Sequence, residues 1–267
     1  MDTDALEQSV LDFLLEDGYR EDVHGEYHPS TISGCPARAV LDRMVESDPV
    51  ANSWLFQGTA VHEYLESEGR IDSILENGGY EDSDVRKEVT TAFEITDDVT
   101  IVGTCDLLVE DGEETAIFDL KYSSLKPEYG HGRVMKYLSQ ANTYSYMFGA
   151  DEYALIMIHS SSQDLRDGVN VLAGQKSDEN WEIVKEKAQQ IHEALEMASQ
   201  PAGNRWTHEQ LEEAGEGFWE QLFSVVEFDY SPSYEEECNH CPFEESCPAS
   251  NDEYGWDDHG AMGNKLK

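Results

Sequence analysis

Apolar runs at 101–109 and 115–118 flank the segment Glu110-Asp111-Gly112-Glu113-Glu114. Asp-Gly is a strong turn signal between strand-like runs, so these residues are expected to form a β-hairpin. The hairpin carries charge where a plain sheet would carry apolar side chains: Gly103-Thr104-Cys105-Asp106 on one arm, Asp119-Leu120-Lys121 on the other. A loop of two residues (111–112) sets Asp106 opposite Ile117, and a loop of four (111–114) sets it opposite Asp119. In either register strict alternation of side chains puts Asp106, Asp119 and Lys121 on one face. An odd loop without a bulge would separate them.

Two carboxylates and an ammonium on one sheet face are costly as scaffolding, because buried unpaired charge is unfavourable. They make sense around Mg²⁺ or Mn²⁺. Hard dications take oxygen ligands and activate water, and a neighbouring ammonium can position that water or stabilise charge. An Asp–Lys ion pair on a solvated hairpin is the plainer alternative.

The 267-residue chain has 17 Lys+Arg against 57 Asp+Glu, a formal net charge of −40. With 10% aromatic residues and several apolar runs it is expected to be folded, as one large domain or one domain with appendages. We read the charge as the carboxylate-rich surface of a protein from a halophilic cytoplasm, where salt screens repulsion over a few ångströms. Such a charge normally argues against nucleic-acid binding. Between 121 and 149, however, Lys121, Lys126, Arg133 and Lys136 are accompanied by Glu128 as the only acid. The acidic start has no apolar signal segment, and the longest apolar run, 153–158, is too short to span a bilayer. A cytoplasmic location without membrane attachment is expected.

Periodicity predicts helices over 5–16, within 31–44 after Cys35-Pro36, over 53–75 with a break near Gly69, over 132–148 and over 179–199. Strands are predicted at 88–95, 100–109, 115–122, 153–159 and 168–172, with a further short apolar stretch at 227–230. This order fits an α/β core. Four parts are expected: a helical N-terminal part (1–80), a core (81–230), a cysteine-rich metal element (231–249) and an acidic, disordered tail (250–267).

Gly58, His62 and Glu66 recur at i, i+4 and i+8 on one helical face. Glycine permits close approach to another backbone, and the imidazole can ligate a metal or handle protons; a histidine simply bonded to Glu66 is the structural alternative. Gln140 and Tyr144, with Arg133 and Lys136 upstream, form a second helical stripe that could contact phosphate and stack a base. Alternatively Tyr144 is core. Cys238 and Cys241 form a C-x₂-C followed by Cys247. Three clustered thiols need a fourth ligand, and Cys35 is the candidate because Cys105 falls inside the hairpin strand. Zinc or a [4Fe–4S] cluster would suit four thiolates, and His240 keeps a mixed zinc site open.

In this order, from about 32 to 248, these motifs resemble the RecB-type branch of the PD-(D/E)xK nuclease superfamily. The nearest resemblance is to the iron–sulphur exonucleases associated with CRISPR adaptation modules and also found in viruses. The resemblance implies a restriction-endonuclease-like core with a mixed central β-sheet flanked by helices. It implies that His62, Asp106, Asp119 and the Leu120 carbonyl hold Mg²⁺ or Mn²⁺, and that Lys121 orients or activates the attacking water. Gln140 and Tyr144 would contact DNA, and Cys35, Cys238, Cys241 and Cys247 would hold a [4Fe–4S] cluster. The implied activity is exonucleolytic cleavage at single-stranded DNA ends, in CRISPR spacer trimming alongside integrase proteins or in viral end processing. No Walker A motif accompanies it. Two readings from other classes compete: a non-catalytic adaptor positioning DNA for an integrase, and a zinc-stabilised acidic interaction protein.

Overall fold

The computed structural model describes residues 23–46, 53–80, 83–123, 131–160, 164, 167–198, 205–226, 238 and 241–248. The helix expected over 5–16, Lys126, the stretch 227–230, His240 and the tail from 250 lie outside the described residues. A short strand β1 (Glu26–Tyr27) leads into helices α1 (Pro29–Ile32) and α2 (Pro36–Met44). Helix α3 (Ser53–Glu66) ends in a 3₁₀ turn at Ser67–Gly69 and continues as α4 (Arg70–Asn77), so the expected break falls where Gly69 takes φ +69°. Strands β2 (Asp84–Thr96), β3 (Val99–Asp111) and β4 (Glu114–Ser123) form an antiparallel meander. Helix α5 (His131–Phe148) crosses to β5 (Glu152–His159), which lies parallel to β4, and β6 (Val169–Gln175) closes antiparallel. The long α6 (Asp178–Met197), α7 (His208–Glu213) and α8 (Gly215–Val225) follow.

The sheet runs β1-β3-β4-β5-β6, with β2 along the other edge of β3. This mixed sheet with helices on its faces is the α/β architecture anticipated. The parallel β4–β5 pair explains why the run at 115–118 does not alternate with charged residues: a strand buried on both faces carries apolar side chains on each. Strands β2 and β6 alternate between half-buried and exposed positions, as outer strands with one wet face do.

The largest core cluster joins Tyr27, Ile32, Val40 and Met44 to Trp181, Val184 and Ile191 of α6, Trp219 and Leu222 of α8, and Phe243 and Cys247 near the chain's end. The N-terminal helices are therefore packed into the same core as the C-terminal ones. Ser177 caps α6 by accepting from the Asn180 N–H, and Thr207 with Gln210 forms a reciprocal capping box on α7. Among the described residues, no helix is long and apolar enough to cross a membrane.

The hairpin pairs Asp111 with Glu114 and Glu110 with Thr115, and its last rung is Leu107↔Phe118. This is the register of the four-residue-loop alternative, closed one step tighter around Gly112 (φ +65°), and it puts Asp106 in line with Asp119. Strict alternation, which the sequence argument assumed, does not hold there. Leu107 packs with Ile71 and Phe118, whereas Cys105 and Leu108 both pack with Tyr144. The pleat changes at Asp106, and across from it on β2 Glu88 has φ +49°, the one non-glycine left-handed residue among those described.

Gly103 brings α1 and α5 onto β3. A β-carbon there would lie 2.8 Å from Tyr144 Cε1 and 2.9 Å from Pro29 Cγ. Gly103→Ala is expected to destabilise the protein by about 1–3 kcal/mol through overpacking, read as a lower midpoint in chemical denaturation. An unchanged midpoint would show that Tyr144 and Pro29 yield freely.

Candidate active site

The site lies at the end of the paired portion of the hairpin, where β3 and β4 part. The Leu120 N–H, with no rung to join, donates to Asp106 Oδ2 at 2.6 Å. The Leu120 carbonyl lies 2.8 Å from Nε2 of His62, which α3 brings over this end of β4. Gly58 faces this strand, where a β-carbon would meet Tyr122 Cβ at an ordinary 4.0 Å, so the close approach does not depend on the glycine; the Tyr122 hydroxyl donates to Gln57 nearby. His62 Nε2 is 4.0 Å from Asp106 Oδ2, and its Nδ1 is 3.8 Å from Glu66.

Asp119, opposite Leu155 in the sheet centre, is completely buried. Lys121 lies on the same strand face two residues on, and its ammonium is 2.9 Å from Oδ1 and 2.8 Å from Oδ2 of Asp119. Only the first contact has hydrogen-bond geometry, so Oδ2 is a buried carboxylate oxygen with no hydrogen-bond donor. Burial pushes the Asp119 carboxyl up to about 6. Asp106 adds to the rise, while Lys121 and His62 oppose it. Burial works against the Lys121 ammonium too, yet the Asp119 and Asp106 carboxylates outweigh it and hold its pKa above the ordinary lysine range. Lys121 is therefore a firmly protonated group.

The structure brings His62, Asp106, Leu120, Asp119 and Lys121 together. The α5 residues form the wall behind them. Gln140 donates to the Tyr144 hydroxyl at 3.1 Å, and Tyr144 is only 5% exposed, its phenol pushed up to about 12 chiefly by burial. The base-stacking role suggested by spacing has no exposed ring face to work with; Tyr144 packs against Cys105, Leu108 and Ile117. Arg133 Nη1 reaches Ser123 Oγ at the end of β4 at 3.4 Å, and Lys136 is half-buried on the same helix. Sequence reasoning missed Tyr137, whose ring centroid lies 5.6 Å from the Lys121 ammonium. Glu88 joins His62 and Glu66 in a group whose donor atoms lie within 4.8 Å of one another.

All five cysteines are free thiols. Cys105 is fully buried, and burial, then the Asp106 charge, push its thiol up to about 12, which makes it an inert core residue. Cys35 precedes α2 in extended conformation, and it and Cys241 pack against the core cluster containing Cys247. The Cys241 N–H bonds the Cys238 carbonyl at 3.0 Å. Three of the four cysteines assigned to a metal element thus adjoin one packed region.

A family model of the PD-(D/E)XK nuclease superfamily matches residues 37–248, most of the chain and all of this site. The chain belongs to that superfamily. A search of the curated proteins found no match. Among solved structures, the nuclease is similar to SSO0001 (16% identity, TM-score 0.55, covering 92% of this chain and 98% of that one). It also matches an alkaline exonuclease of Laribacter hongkongensis (14%, TM-score 0.44, covering 65% and 89%) and a phage-related exonuclease from Haemophilus somnus 129PT (14%, TM-score 0.46, covering 67% and 98%).

Nucleases of this superfamily use divalent metal, and the residues here fit one. Asp106 Oδ2 lies 4.0 Å from His62 Nε2 and the Leu120 carbonyl 2.8 Å from it, all hard or borderline donors, and Asp119 Oδ2 is buried without a hydrogen-bond donor. Because Asp119 binds its proton up to about pH 6, proton and dication compete for it below that value. In the metal-free protein this raised pKa favours folding while the carboxyl is protonated, a contribution lost as pH rises through about 6. Mg²⁺ or Mn²⁺ affinity, measured by titration calorimetry, should fall by up to about tenfold per pH unit below pH 6. Constant affinity from neutral pH down would show that Asp119 is not a ligand.

Proposed function

We propose that this nuclease is a Mg²⁺- or Mn²⁺-dependent DNA exonuclease that hydrolyses phosphodiesters from single-stranded ends. The observation that carries the reading is the buried Asp119–Lys121 pair beside Asp106 and His62 where β3 and β4 part. As scaffolding it would be needlessly costly, and an adaptor would not need to keep it. A bound dication supplies Lewis-acid chemistry, easing deprotonation of water and the build-up of charge on phosphate. Asp106, Asp119, the Leu120 carbonyl and His62 hold it. Water oxygen bonds to phosphorus, the P–O3′ or P–O5′ bond breaks, and a proton passes to the departing alkoxide. Lys121, firmly protonated, donates hydrogen bonds to the attacking water and a phosphate oxygen rather than serving as the base. Arg133 and Lys136 extend a local positive lane for the DNA backbone beside an otherwise acidic surface. Gln140 and Tyr144 support the wall behind Lys121.

The four cysteines Cys35, Cys238, Cys241 and Cys247 hold a [4Fe–4S] cluster, with Zn²⁺ as the alternative ion. The support for this is the sequence order, one cysteine before α2 and a C-x₂-C followed by Cys247 near the other end, as in the family it resembles. With its resemblance to the iron–sulphur exonucleases, the enzyme would trim spacers beside CRISPR integrase proteins or process viral DNA ends in a salt-rich cytoplasm.

End-labelled single-stranded DNA should be degraded with Mn²⁺ in molar KCl, while covalently closed single-stranded circles survive; cleaved circles would make the enzyme an endonuclease. Lys121→Ala should lower the rate by about 10²–10⁴-fold with its far-ultraviolet circular dichroism unchanged, and retained activity would overturn the assignment. Protein purified anaerobically should carry stoichiometric iron and broad visible absorption that Cys35→Ala removes. A colourless, zinc-loaded protein would replace the cluster by zinc.

A further inference from the structure

A second constellation lies away from the nuclease centre, where the chain entering β1 meets α6. His192 and Glu196 stand one helical turn apart on α6, and His24 comes from the segment before β1. His24 Nε2 is 2.9 Å from Glu196 Oε1, and the two imidazole rings are 5.3 Å apart at 45°. One donor atom from each residue lies within 4.8 Å of the other two. We propose that His24, His192 and Glu196 form a binding site for a borderline divalent metal ion, with Zn²⁺ as the reference case, that clips the start of the sheet to α6.

Three features favour a metal over a simple surface ion pair. The first is preorganisation. His192 Nδ1 lies 3.0 Å from the hydroxyl of fully buried Tyr27, which fixes the ring and leaves Nε2 as the ligand atom. The backbone that carries His24 is fixed through its neighbour. Gly25 has φ +80°, its carbonyl accepts from the Thr100 N–H at 2.8 Å, and a β-carbon on it would lie 2.6 Å from the Asp98 carbonyl oxygen. The second is reach. Zn²⁺ binds imidazole nitrogen and carboxylate oxygen at about 2.0–2.2 Å, so tetrahedral donors sit roughly 3.3 Å apart. The 2.9 Å between His24 and Glu196 and the 4.8 Å limit on the other separations are compatible with that value, and the exposed His24 ring can turn about its side-chain bonds on the fixed backbone.

The third is surroundings. The three residues line a cavity of about 440 Å³ with Glu26, Asp97, Asp98 and Thr100. The acids lower the cost of bringing in a dication, and the open cavity leaves room for water on the remaining coordination position. Two imidazoles with one carboxylate select Zn²⁺, Ni²⁺ or Cu²⁺ over the Mg²⁺ or Mn²⁺ of an oxygen-rich site. Three ligands drawn from both ends of a 168-residue separation make the ion a tertiary staple rather than a catalytic centre.

The test uses the full-length protein in excess Mg²⁺, which fills the nuclease centre, with Zn²⁺ added and bound metal counted after gel filtration. Wild type should retain one zinc equivalent more than His24→Gln/His192→Gln, and Zn²⁺ should raise the Tm of wild type alone, with Mn²⁺-dependent cleavage equal in both. His24→Gln by itself keeps the Tyr27–His192 contact and should lose the same equivalent without a lower zinc-free Tm. Equal zinc content in wild type and both variants, or a zinc-dependent Tm rise that persists in them, overturns the proposal.

Discussion

The ion pair between Asp119 and Lys121 is the constraint around which the rest of this molecule is arranged. Its carboxylate is fully buried in the middle of the sheet, and Lys121 keeps 18% of its side chain exposed. Removing either partner would strand the other, a loss of about 3–5 kcal/mol in comparable buried pairs. A chain can keep such a pair only if the surrounding fold holds it rigidly. The parallel β4–β5 ladder, the bond of His62 on α3 to the Leu120 carbonyl and the approach of α5 over Gly103 supply that rigidity. Stability and chemistry pull in opposite directions at this point. The burial that makes Asp119 costly is also what leaves an oxygen without a donor, ready for a cation.

The geometry has a division of labour that follows from backbone direction. β4 presents Asp119 and Lys121 to the α5 side, while Leu120 between them buries its side chain with Ile71 and Phe118 and offers both backbone polar groups sideways. Asp106 takes the N–H and His62 takes the carbonyl. A single strand residue thus links three elements through its main chain alone. Identity at position 120 is set by packing, and function by the peptide groups.

Much of this was legible in the sequence because it depends on local periodicity. The hairpin follows from the Asp-Gly turn, with its register left between two alternatives, α3 from its periodicity over 53–75, and β4 from the apolar run at 115–118. What was not legible depends on three-dimensional competition. A period-two argument cannot foresee a pleat change at Asp106 opposite a left-handed Glu88. It cannot tell that Tyr144, spaced like a DNA-facing residue, fills space beside Cys105. Nor can spacing reveal that His24 and His192, 168 residues apart, share a cavity.

That core also bears on how the protein is made. Its largest cluster is assembled from residues between Tyr27 and Cys247, so the first strand and helices remain without their packing partners until nearly the whole chain exists. A topology so rich in distant contacts folds late and slowly. During synthesis Tyr27, Val40 and Met44 would be exposed apolar surface, of the kind that associates wrongly between incomplete chains. For a polypeptide carrying forty excess negative charges, the strongly hydrated carboxylates keep the incomplete chain soluble even where salt screens repulsion, so the acidic composition protects the protein before it has a surface to speak of.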